Sequence, residues 1–210
     1  MSSILTLLML VIVFACVAML YTEGMWSNAI SLINVVTAAL LATNFFEPVA
    51  RWLESSSPSL TYAWDFLALW GLFAIFMGVL RAATDQLSKV KVRFLNMADR
   101  IGSVFFAMWV GWVLVCFTMM TLHAAPLSRT FLFGGFTAEQ PMVLGLAPDR
   151  QWLAFMQKES MGVYARSATP EQWQQEKFIF DPKADFMPNY TARRVKIEEN
   201  ITKYDSLCPK

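Results

Sequence analysis

Charge is scarce in this sequence. Of 210 residues, 17 are Lys or Arg and 16 are Asp or Glu. That is 16% in all, against about 25% in an ordinary soluble domain. The near balance, a net +1, leaves no strong basic field, so no nucleic-acid partner is expected. Histidine is scarcer still: His123 is the single one. The three cysteines, Cys16, Cys116 and Cys208, stand far apart and form no CxxC pair. Neither a thiolate metal site nor a disulfide framework is indicated. HExxH, GxxxxGKS or GxxxxGKT, and GxGxxG are all missing, and no Ser or Cys pairs with His123 in a nucleophile pattern. No catalytic residue, metal or cofactor is indicated, and the chain is not expected to be an enzyme.

What the chain has instead is apolar surface: 56% of its residues are hydrophobic and the mean hydropathy is +0.44. Four runs carry it. Ile4–Tyr21, Met25–Phe46 and Ile101–Leu122 contain no charge, and Leu60–Leu80 contains only Asp65. About 20 residues of helix cross a hydrocarbon core of about 30 Å. In lipid every backbone polar group must be paired within its own segment, which selects helices. The sequence predicts an all-α membrane protein with four transmembrane helices in a bundle, spans at about 4–21, 25–46, 60–80 and 101–122. Residues 1–122 would form the membrane domain and 123–210 a tail outside the bilayer. The first run has no Lys or Arg before it and exceeds a usual signal-peptide core, so a retained helix is expected.

Positive charge sets orientation. The Phe46–Ser59 connection carries only Arg51. The connection between the third and fourth runs carries Arg81, Lys89, Lys91, Arg93 and Arg100. The latter belongs in the cytoplasm, which puts both termini outside. Within it, Ala83, Leu87, Val90, Phe94, Met97 and Ile101 step by four and three, the stripe of an amphipathic helix lying along the headgroups. Asp99 and Arg100 mark the membrane boundary of the fourth span.

Small residues mark candidate packing faces. Ser103, Ala107 and Gly111 recur every fourth residue on the fourth span. Such a face lets two backbones approach in lipid, where packing drives helix association. Its expected partner is the second span, where Ser27, Ser31, Asn34, Ala38 and Ala42 align. The Asn34 amide, near mid-span, needs a hydrogen-bond partner across helices. Gly71 and Gly78 offer a second surface on the third span. A polar path through Asn34, Thr37 and Asn44 is the less favoured reading. Asp65 reads as a helix-start residue and His123 as a polar tip at the headgroups.

The stretch "EGMWSNAISLINVVTAALLATNFFEPVARWL", then "FLALWGLFAIFMGVL", the basic linker and "DRIGSVFFAMWVGWVLV", resemble the colicin V production (CvpA) family over roughly residues 1–125. The family's last span typically reads Asp-Arg and then glycines at four-residue steps. Ser103, Ala107 and Gly111 fill those steps here, with Gly102 beside them, and Val110 stands where an Arg is often seen. The resemblance implies a four-span bacterial inner-membrane protein linked to toxin export and envelope upkeep. The expected role is a non-enzymatic scaffold or accessory subunit, the alternative a small oligomeric channel or transporter component. The lipid bilayer and other membrane subunits, or a second copy of the chain, are the expected partners. The tail lies beyond the matched residues and is expected to be partly ordered and mostly helical. Pro148 and Asp149 open a helix with Trp152, Phe155 and Met156 on one face, and Thr169-Pro170-Glu171 opens another.

Overall fold

A computed structural model describes residues 2–57, 61–88, 96–127, 146–162, 164–166 and 169–207. Six α-helices make up most of them: α1 Ser2–Leu20, α2 Met25–Ser56, α3 Trp64–Leu87, α4 Asn96–Ala124, α5 Pro148–Ser160 and α6 Phe186–Leu207. Of these, α2, α3 and α4 are long and apolar enough to cross a membrane, while the apolar stretch of α1, Leu5–Leu20, is shorter. The four pair in the order α3, α2, α4, α1: α3 packs chiefly on α2, α2 on α4, and α4 on α1.

Gly24 makes the α1–α2 hairpin possible. Its φ of 88° lies in the left-handed region that a side chain disfavours, and a Cβ there would sit 3.3 Å from the Asp99 carboxylate. Helix α2 continues through Pro48 and ends at Ser56, ten residues beyond its apolar run. A mid-helix proline costs about 3 kcal/mol because the Asn44 carbonyl loses its donor. Phe46 and Ala50, 1% and 3% exposed, and Leu53 hold this stretch in the core and offset the cost.

The amphipathic stretch between the third and fourth runs is not a separate helix at its ends. Ala83 and Leu87 belong to the last turns of α3, and Met97 and Ile101 to the first turns of α4. Residues 89–95 lie outside the described residues. In the tail, α5 begins at Pro148 as the sequence predicts, with Trp152 and Met156 buried. Residues 169–180 form only two 3-10 turns, Pro170–Gln172 and Glu176–Phe178, rather than a helix. Packing decides this: Ile179 is extended, and Phe180 is 1% exposed in the core with its N–H on Ser160 Oγ at 3.0 Å.

One core runs from the helices into the tail. Phe117 of α4 touches Trp70 and Phe73 of α3 at ring-centroid distances of 5.5 and 5.0 Å, and Trp152 of α5 at 5.8 Å. Phe186 of α6 meets Phe46 of α2 at 6.4 Å. Apolar continuity of this kind fixes the tail on one end of the helices.

Candidate functional site

The tail is clasped to that end by polar groups from every segment it touches. His123 and Asp149 are 1% and 2% exposed, and Nε2 of the imidazole lies 2.9 Å from Asp149 Oδ2. This buried pair joins the end of α4 to the start of α5, so His123 is a clasp residue rather than a polar tip in the headgroups. Trp152 Nε1 donates to Thr43 Oγ1 at 3.1 Å, joining α5 to α2. Arg194, 4% exposed, donates Nη2 to the carbonyls of Leu122 and His123 at 3.0 and 2.9 Å. Those are end-of-helix carbonyls without helical partners, and a cation is the group that suits them. Burial pulls the guanidinium pKa down from its ordinary value.

Asp65 carries more than a helix start. It accepts from Tyr190 Oη at 2.9 Å and pairs with Arg193, which also donates to the Thr61 carbonyl. Burial first, then the Asp65 charge, pushes the Tyr190 phenol above its ordinary pKa, so it stays a donor. Asn44, a member of the proposed polar path, is spent in the same clasp. It donates to the Tyr164 carbonyl at 3.0 Å and accepts from Arg166 Nε at 3.1 Å. Arg166 also reaches Glu47 at 3.0 Å. These half-buried charges are each paired, which holds the tail segments in one orientation.

At the opposite end a second polar knot ties α1, α2 and α4. Asn28 is wholly buried, and the two N–H groups of its Nδ2 are shared among the Leu20 carbonyl at 2.9 Å, the Ser103 carbonyl at 3.1 Å and Ser103 Oγ at 2.8 Å. Ser103 Oγ reaches the Leu20 and Tyr21 carbonyls in turn. Asp99 Oδ1 accepts the Met25 N–H at 3.0 Å, so a residue of α4 caps the first turn of α2. Arg100 beside it is exposed.

The candidate packing residues are therefore redistributed. Gly111 does not receive α2. A Cβ there would lie 3.0 Å from Val13 Cα and 3.4 Å from Cys16 Cβ, both of α1. Ser103 serves α1 and α2 together, and Ala107 is fully buried between them in sequence. The α2 stripe turns to α3 instead. Asn34 Nδ2 donates to Thr84 Oγ1 at 2.9 Å, Ser31 Oγ accepts from Arg81 Nη1 at 3.4 Å, and Ala38 is fully buried. Gly71 and Gly78 make no close approach, since a Cβ on either would meet nothing within 4 Å. Asn28 escaped the sequence because Ser27 fits the same spacing one position earlier.

A family model described as colicin V production protein matches residues 5–138. The chain belongs to the colicin V production protein family. The match takes in all four apolar helices and the start of the chain that follows α4, while α5 and α6 lie beyond it. No curated protein and no solved structure matches the chain. Within the matched residues, Asp99 and Ser103 of α4 belong to the knot at one end. The clasp at the other end is built largely by the unmatched tail.

Proposed function

We propose that this chain is a non-enzymatic scaffold or accessory subunit for envelope or toxin-secretion processes in the bacterial inner membrane. It spans the bilayer four times, with both termini outside the cytoplasm. The observation that carries the reading is the clasp. Asp65, His123 and the α4 carbonyls are all bound by residues of α5 and α6, so these two helices are tied to the ends of the apolar helices. Helices tied to a membrane anchor suit docking of other subunits. The charge asymmetry, five cations between the third and fourth apolar runs against Arg51 alone between the second and third, supports the orientation.

The channel alternative asks for free polar groups along the helices, and Asn34 and Asn44 are both spent on internal partners. The test is purification of the full chain in a mild detergent, beside ion and solute flux in liposomes containing it alone. Envelope or secretion subunits retained at fixed ratio, with no flux, support the scaffold. Flux in the protein-only liposomes overturns it in favour of the channel.

A further inference from the structure

At the end of the helices remote from the tail lies a cavity of about 630 Å³, enclosed by the α1–α2 turn, the starts of α2 and α4, and the last two turns of α3. Its size falls in the range of small-molecule sites, about 300–1,000 Å³. Among the described residues its wall holds three carboxylates, Glu23, Asp85 and Asp99, and one guanidinium, Arg81. Each carboxylate spends one oxygen inside the protein. Glu23 Oε2 accepts from Ser27 Oγ at 3.4 Å, Asp85 Oδ2 from Arg81 Nε at 3.3 Å, and Asp99 Oδ1 from the Met25 N–H at 3.0 Å. The other oxygen of each has no partner among the described residues. Gly24, without a side chain, leaves the Asp99 carboxylate uncovered. Arg81 keeps Nη2 unspent after binding Asp85 and Ser31.

A primary ammonium has three N–H donors and no acceptor, which complements three carboxylate oxygens. A phosphate complements the remaining guanidinium edge. The depth fits the same chemistry. Arg81 follows directly on the apolar run of α3, and the Trp26 indole donates to Ser88 at 3.3 Å at the rim, where aromatic residues meet headgroups. We propose that this cavity binds the phosphoethanolamine headgroup of a bilayer lipid, with the ammonium on Glu23, Asp85 and Asp99 and the phosphate on Arg81. Anionic headgroups without an amine leave the second oxygens of these three carboxylates without a donor. Choline headgroups have no N–H to donate.

The site rests on the membrane reading of the helices, and one experiment separates the two. The full chain in nonionic detergent is mixed with dioleoyl phosphatidylethanolamine, its N-methyl and N,N-dimethyl derivatives, phosphatidylcholine and phosphatidylglycerol in equal amounts. Retained lipid is then counted by native mass spectrometry. Retention is expected to fall with each N–H lost, by about tenfold or more across the series. A Glu23→Gln, Asp85→Asn double variant should flatten the series. Arg81→Gln should lower retention of all the phospholipids, and Arg81→Lys should keep it. Millimolar O-phosphoethanolamine should displace the lipid. A flat series in the native protein, preference for phosphatidylglycerol, or binding of the free compound with no lipid retained overturns the site. The methylation series uses the unaltered chain, so a variant that fails to fold does not blunt it. Release of the protein from membranes without detergent would overturn the membrane reading itself.

Discussion

At the residue scale, two asparagines in one helix have unequal work. Asn28 shares its two N–H groups among acceptors on α1 and α4, whereas Asn34 serves one hydroxyl on α3. Replacing Asn28 with Leu strips a wholly buried cluster of its donor and should cost about 1–3 kcal/mol. Asn34→Leu removes a single interhelical bond and should cost about 0.6–1.7 kcal/mol. Unfolding of both variants in detergent micelles checks the ranking, and an equal or larger loss for Asn34→Leu would contradict it. The sequence marks Asn34 plainly because an amide amid apolar residues demands a partner. It does not choose between Ser27 and Asn28, since each sits three or four residues from Ser31. Only the position of α1 makes Asn28 the buried one. His123 is illegible for a related reason. Its partner Asp149 is 26 residues away on another helix, and a histidine at the end of an apolar run looks like a headgroup residue until that helix folds back.

At the scale of elements, the small faces of α3 and α4 behave oppositely. Gly111→Leu should push α1 off α4, because the contact behind it is Val13 backbone that cannot rotate away. A loss of about 1–3 kcal/mol is expected. Gly71→Leu and Gly78→Leu should stay within about 0.5 kcal/mol of the native chain, since they fill open space. Thermal unfolding of the three variants reads this directly. Helix α6 offers a pH test. Asp181 Oδ1 accepts the Asp185 and Phe186 N–H groups at the helix start, at 2.8 and 3.2 Å. Burial, with Asp185 nearby, raises its carboxyl above 3.8. The folded chain thus holds this proton more tightly than the unfolded one. The stability it contributes is full at low pH and lost as pH rises through the folded value. Asp181→Asn keeps an acceptor oxygen and no charge. It should match or exceed the native melting temperature near neutral pH, by a margin that shrinks as pH falls towards about 4. A variant that weakens progressively as pH rises would refute this. Helix α5 was legible because Pro148, Trp152 and Met156 supply a start and a face. The 3-10 turns after it were not, because Phe180 is held by the core and not by its neighbours in sequence.

For the whole molecule, the four apolar runs and the packing of the second on the fourth were legible in the sequence, and the partners of the individual small residues were not. Small residues announce that a helix has a partner without saying which, so Gly111 met α1 while Ser31 and Asn34 met α3. Orientation remains testable by chemistry that the sequence supplies. In a variant lacking Cys16 and Cys116, Cys208 should react with a membrane-impermeant thiol reagent in cells whose outer envelope is made permeable. Protection that vanishes on lysis would put the tail in the cytoplasm. The clasp has a further consequence, in time. Asp65 and Tyr190 are 125 residues apart. Chains leave the ribosome at about 5–20 residues per second, so α3 waits about 6–25 s for its partner on α6. Through that interval the Asp65 carboxylate is on the membrane with its own tail still unmade. Helix α6 closes ends of α3 and α4 that were made before it, and the clasp is complete only once α6 has been synthesised.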